Sequence, residues 1–196
     1  QPIVSARPAR IACLARQMRF NPLPKRVAYF LSIHPCRPPN SQQLESHSYA
    51  NGNPECKRNL ENIVEPAIQT VGLKVIRADQ IDKPGMITRQ IMEYLFRSRL
   101  VVADLSFSNA NVFYELALRH AVRLPIVQII RHGDPIPFDI NQMRTVTIDN
   151  RDIYTLLPNV ELYKSEIASQ ARRALEAGVE VDTPVSMYFP AARLAI

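Results

Sequence analysis

A chain of 196 residues, 46% of them hydrophobic, suffices for one well-buried core, and no apolar run reaches the ~18 positions of a membrane helix. The net charge of +6 suggests a nucleic-acid partner only until it is located: residues 1–44 hold no acid and seven cations, Arg7, Arg10, Arg16, Arg19, Lys25, Arg26 and Arg37, which leaves −1 for the remainder. Cys13, Cys36 and Cys56 are odd in number and widely spaced, so they suggest no disulfide framework and favour a reducing, cytoplasmic location.

Three regions follow. Residues 1–25 form a basic arm with Pro2, Pro8, Pro22 and Pro24 around a short amphipathic piece, Ile11, Leu14 and Met18. Nucleic acid is expected to be reached only through this arm, and an organellar transit peptide has the same composition. Residues 26–178 form an α/β domain, and residues 179–196 form a tail without a readable signal. His34, Cys36, His47 and Cys56 lack the close paired spacing of a zinc set, so no metal is expected.

Within the domain, the β-forming run from Val27 to Ile33 reads as a central first strand. The long polar segment from His34 to Pro54 reads as a flap over whatever binds. Leu60, Ile63, Val64, Ala67, Ile68 and Val71 recur at helical spacing, which predicts a helix from about Glu55 to Val71, bent at Pro66 and ended by Gly72. Residues 73–78 give strand two, and Ile87, Ile91, Tyr94 and Leu95 mark helix two after Pro84 and Gly85. Leu100 to Ala103 is a short apolar strand that stops at Asp104. A polar turn, Ser106 to Asn111, follows, and then Val112, Leu116, His120 and Ala121 recur as a third helix. Pro125 to Ile130 is strand four, residues 131–143 are a loop, Arg144 to Ile148 alternate like an edge strand, and Val160 to Ala177 form a last amphipathic helix.

Strands alternating with helices predict a flavodoxin-like, Rossmann-like three-layer domain with a five-stranded, mainly parallel sheet of order 2-1-3-4-5. Ligands of such sheets sit beyond the carboxyl ends of the strands, at the switch point between strands one and three. That topology gathers Ser32, His34, Asp104, Ser106, Asn109, Asn111 and Glu115 towards one crevice. Asn109 and Asn111 suit a helix N-cap, so Glu115 is expected in or near the first turn, where the free N–H groups and the helix dipole favour a charged carboxylate.

No G-x-G-x-x-G, P-loop or G-x-S-x-G motif occurs, which removes the Rossmann cofactor, P-loop nucleotide and α/β-hydrolase readings. A carboxylate near C1 of a ribose can stabilise or attack an oxocarbenium-like centre, as the acids of glycosidases do. Asp104 would accept from sugar hydroxyls, and Asn109 or Asn111 would orient sugar or base. The plain alternative is that Glu115 only decorates a helix start and Asp104 only caps loop amides. His120 reads as a satisfied core histidine, Phe113 and Tyr114 as packing, Phe138 and Asp139 as loop-fixing, and Arg77 and Arg89 as surface pairs.

The segment ADLSFSNANVFYELALRHA, residues 103–121, resembles the strand-loop-helix signature of the nucleoside 2-deoxyribosyltransferase-like superfamily and its TIR-like relatives. IPFDI at 136–140 with Arg144 resembles a second element of prokaryotic TIR-like proteins, and RADQID at 77–82 also fits, so the resemblance spans most of Lys25 to Ala177. It implies that Glu115 is the catalytic carboxylate and Asp104 the sugar-binding acid. It also implies that the partner is a nucleotide or nucleoside, and that the chain self-associates.

One position departs from that pattern. Where the deoxyribosyltransferases carry an acid six residues before the catalytic Glu, which helps protonate the leaving base, this chain has Asn109, and an amide is no general acid. The nicotinamide of oxidised NAD already carries its positive charge and leaves without protonation. The expectation is therefore an N-glycosidase acting on NAD or a related nucleotide, with NAD a substrate rather than a cofactor and with His34, Asp79 or a flap residue as other proton sources. The competing expectations are a deoxyribosyltransferase or nucleosidase, and a non-catalytic nucleotide-sensing and assembly domain. A phospho-receiver would need an acid pair after strand one, which Ser32-Ile33-His34 does not supply.

Overall fold

The computed structural model describes residues 27–31, 58–77, 87–176 and 181–192, with the backbone alone for 27, 29–31, 87 and 88. The arm, Ser32, His34, Asp79, the flap and all three cysteines lie outside the described residues.

Five parallel strands form one sheet in the order β2-β1-β3-β4-β5: β1 Val27–Leu31, β2 Lys74–Arg77, β3 Leu100–Asp104, β4 Ile126–Arg131 and β5 Thr145–Ile148. β3 lies between β1 and β4, with Leu31 opposite Ala103 and Asp104 opposite Ile129. Every residue of β3 is buried, as a central parallel strand covered on both faces requires. β5, at the edge, keeps the alternation read from its sequence, with Val146 and Ile148 inward and Thr147 exposed.

The period-two alternation of β3 and β4 divides the core between the two faces. Leu100, Val102, Val127 and Ile129 meet Leu60, Ile63 and Ile68 of α1, Leu60–Val64 continued by Glu65–Gln69, and Tyr163, Ile167 and Ala171 of α5, Val160–Leu175. Val101, Ala103, Ile126 and Ile130 meet Tyr94 and Leu95 of α2, Ile87–Arg97, and Val112 and Leu116 of α3, Ala110–Ala121. Between β5 and α5 lies the short helix α4, Ile153–Leu156, started by Asp152, whose carboxylate accepts from the Thr155 N–H.

α1 is not a uniform helix. A π-helical stretch, Leu60–Val64, passes into α-helical Glu65–Gln69. Pro66 lacks the N–H that would continue the ordinary ladder, which accounts for an irregularity here in place of a simple bend. The chain then reverses through Gly72, whose φ of +75° suits a residue without Cβ.

Of the segment after residue 178, which reads from the sequence as a tail without signal, residues 181–192 are described. Pro184–Tyr188 forms a helix, α6, capped by a reciprocal box: the Thr183 hydroxyl accepts from the Ser186 N–H, and the Ser186 hydroxyl accepts from the Thr183 N–H. Thr183 is fully buried and donates to the His120 carbonyl at 3.3 Å. Arg123 donates to the carbonyls of Phe189, Pro190 and Ala192 at 2.8–2.9 Å, so this segment is fastened to the end of α3.

Candidate functional site

The candidate site is built where β3 ends. Asp104, 1% exposed, does not point outward: its Oδ1 accepts from the Ser106 N–H at 3.1 Å and from the Ser106 hydroxyl at 2.5 Å. The same hydroxyl oxygen accepts from the Arg131 N–H at 2.9 Å, so Ser106 ties the end of β3 to the end of β4. Asp104 Oδ1 and the Ser106 hydroxyl are thereby committed to local hydrogen bonds.

The turn that follows, Ser106–Ser108, forces left-handed backbone on two ordinary residues, Phe107 at φ +62° and Ser108 at φ +52°. For residues with a Cβ that conformation costs about 1 kcal/mol or more each, and it persists only where the surroundings impose it. They do so here through Asp134. Its Oδ2 accepts from the Phe107 N–H at 2.8 Å, and its Oδ1 accepts from Arg131 at 2.7 Å. The Arg131 guanidinium in turn lies 4.3 Å from the centre of the Phe107 ring, a cation–π contact.

Asn109 then caps α3, its Oδ1 accepting from the Asn111 N–H at 2.8 Å, as its residue type suggests. Asn111 is exposed at the start of the helix.

Glu115 departs from expectation in two ways. α3 begins at Ala110, so Glu115 is the sixth helical residue and lies in the second turn, beyond the reach of the first-turn N–H groups. Nor is it a fixed anion: burial raises its carboxyl from an ordinary 4.5 to about 7. It follows Val112 by three residues and adjoins Leu116, at the margin of the buried stripe, and among the described residues its carboxyl has no hydrogen bond or ion pair. Desolvation without a compensating partner is what favours the neutral form.

His120 is a core residue, as the apolar stripe implies. It is 3% exposed, its Nε2 lies 3.3 Å from the Gln128 amide nitrogen, and burial lowers it from 6.5 to about 4. The Thr145 hydroxyl donates to Gln128 Oε1 at 3.2 Å and completes a buried polar chain.

Several other expectations are corrected. Tyr114 is 62% exposed and does not pack, whereas Phe113 does. Phe138, 83% exposed, and Asp139, also exposed, do not fix their loop; buried Ile140 and the bonds of Asp134 do. The pairing expected of Arg77 is present, to Glu61 at 3.8 Å, and Arg89 is exposed.

The sequence reading passed over Arg119, fully buried one position before His120. Its guanidinium donates to the carbonyls of Leu95, Ser98 and Pro125, and burial lowers it to about 9. It follows Leu116 by three residues and Val112 by seven, so the helical stripe itself marks the position as inward.

Among the described residues, no group of three or more His, Cys, Asp or Glu is placed to hold a metal ion, and no helix is long and apolar enough to cross a membrane.

No family model matches this chain, and no curated protein matches it. Among solved structures, the chain is similar to the TIR domain of a Toll-related receptor from the lower metazoan Hydra magnipapillata, with 20% identity and a TM-score of 0.43 over 59% of this chain and 92% of that one.

Proposed function

We propose that the protein is an N-glycosidase that cleaves the base–ribose bond of NAD or a related nucleotide, with Glu115 as the catalytic carboxylate. The observation that carries this reading is Glu115 itself, a partly buried carboxyl without a partner among the described residues and raised to about 7, one turn into the helix that follows the central strand. Such a group is costly to keep unless it is used.

In the proposed step, the bond between ribose C1 and the nicotinamide nitrogen breaks, and its electron pair passes to the ring nitrogen and cancels its charge. Ionised Glu115 stabilises the oxocarbenium-like centre left at C1, or bonds to it for one cycle. Water then adds at C1, giving ADP-ribose and a proton. Asn109, whose carbonyl oxygen already caps α3, is not required to protonate the leaving group. Because only the ionised form can act in this way, the rate is expected to rise with pH through about 7 and then level off.

A second reading has its own support. Asp104 is buried and bound to Ser106, which suits a non-catalytic nucleotide-sensing and assembly domain better than a sugar-binding acid. Self-association remains part of either reading, and nucleic acid would be met only by the arm.

The test is product chromatography after incubating concentrated protein with NAD, deoxynucleosides and nucleoside monophosphates, alongside Glu115→Gln. Nicotinamide release that disappears in the variant supports the reading. Base release from nucleosides alone moves the protein to the transferase or nucleosidase class, and no release from any substrate overturns the glycosidase assignment.

A further inference from the structure

At the carboxyl ends of β4 and β5, on the face covered by α1 and α5, two hollows of about 520 and 320 Å³ share Arg58, Asn150 and Arg151 as a common wall. They differ in chemistry. The larger is also lined by Arg131, His132 and Asp134, and it is predominantly cationic. Arg131 and Arg151 are matched by Asp134 and Asp149, at 2.7 and 2.6 Å, but exposed Arg58 has no carboxylate partner among the described residues. The smaller hollow has an apolar wall formed by Ile63, Ile153, Leu156 and Val160.

Asn150, in the shared wall, is the informative residue. Both polar atoms of its amide are sheltered from solvent, and neither has a hydrogen-bond partner among the described residues. A buried amide left unmatched costs free energy, and in folded proteins it commonly marks a place that water or a ligand completes. The requirement is two-sided: the amide nitrogen needs an acceptor and the carbonyl oxygen needs a donor. A bare oxyanion meets only the first, whereas a ribose hydroxyl or a base edge beside a phosphate meets both.

We infer that the two hollows form one binding site for a mononucleotide: the phosphate against Arg58 in the cationic hollow, the base on the apolar wall, and the sugar or base edge at Asn150. The combined size suits a small-molecule site. The site lies on the opposite face of the sheet from α3 and borders the Phe107 turn through Arg131 and Asp134, and it does not depend on the reaction assigned to Glu115.

Titration calorimetry of the full chain tests this with AMP, adenosine and inorganic phosphate as probes, on the wild type, Arg58→Ala, Asn150→Ala and Glu115→Gln. AMP is expected to bind at least about tenfold more tightly than either adenosine or phosphate, and loss of the charged contact in Arg58→Ala should weaken it by about tenfold. Asn150→Ala should also weaken AMP, while Glu115→Gln should leave it unchanged. Because Arg58 is exposed, its variant is expected to keep the wild-type melting temperature. The inference is overturned if AMP does not bind, if phosphate alone binds as tightly, if water is the only occupant so that both wall variants bind AMP normally, or if Glu115→Gln abolishes binding. Failure of NAD cleavage with intact AMP binding would refute the proposed reaction and leave this site standing.

Discussion

Replacing Glu115 by Gln removes a charge while keeping the shape, and its effect on stability should reverse the usual expectation for losing an acid. In the unfolded chain the carboxyl ionises near 4.5; in the fold it ionises near 7. Below 4.5 both states hold the proton, so the carboxyl imposes no penalty and variant and wild type should be about equally stable. Between those values the folded state holds the proton while the unfolded state releases it, so wild-type stability falls as pH rises and levels off above about 7. At about 1.4 kcal/mol per pH unit the ceiling is about 3 kcal/mol, and because Glu115 is only partly buried a penalty of about 1–3 kcal/mol is the reasonable range. Gln escapes it. Unfolding Glu115→Gln and wild type in denaturant from pH 4.5 to 8.5 should therefore give curves that coincide at the acid end and separate towards pH 8, with the variant more stable. All other titrations are common to the two proteins and cancel in the difference. A difference that does not change with pH would refute the raised ionisation of Glu115, and with it the physical basis of the proposed site.

Three further outcomes follow from other buried groups. Proton NMR of the His120 ring should show a midpoint near 4 instead of 6.5, with stability falling by up to about 3 kcal/mol as pH drops between those values; an ordinary midpoint would contradict its burial. Arg119→Met should cost about 3 kcal/mol or more, because it strands the carbonyls of Leu95, Ser98 and Pro125, and a melting temperature within about 1 °C of wild type would refute that role. Asp134→Ala should speed hydrogen exchange at the Phe107 amide and cost about 1–3 kcal/mol; unchanged protection would mean that the left-handed turn is imposed by something else.

The strands were legible in the sequence because parallel strands buried on both faces must be apolar along their whole length. Leu100 to Ala103 and Ile126 to Ile130 satisfy that almost without exception, and the structure ends each strand within about two residues of the sequence reading over the described residues. Gln128 is the exception, and its partners explain why it was missed: a polar residue on a buried face is accommodated only by His120 and Thr145, which come from different elements. The Asn109 cap was legible because capping is local. The state of Glu115 was not, because its ionisation depends on what α3 packs against and not on the residues beside it in the chain. Segment 181–192 shows the same limit: its docking depends on Arg123 and His120, some sixty residues away.

The sheet acts as a bulkhead. Because the side chains of β3 and β4 alternate strictly between two separate cores, the face bearing Glu115 and the face bearing the Asn150 hollows share no packed side chains through the middle of the protein. They meet at the rim, where Arg131 lines the larger hollow and also lies over Phe107, and where Asp134 holds both. A signal passing from one side to the other would therefore go around the end of the sheet, through three side chains, and two of them, Arg131 and Asp134, can be changed without opening either core.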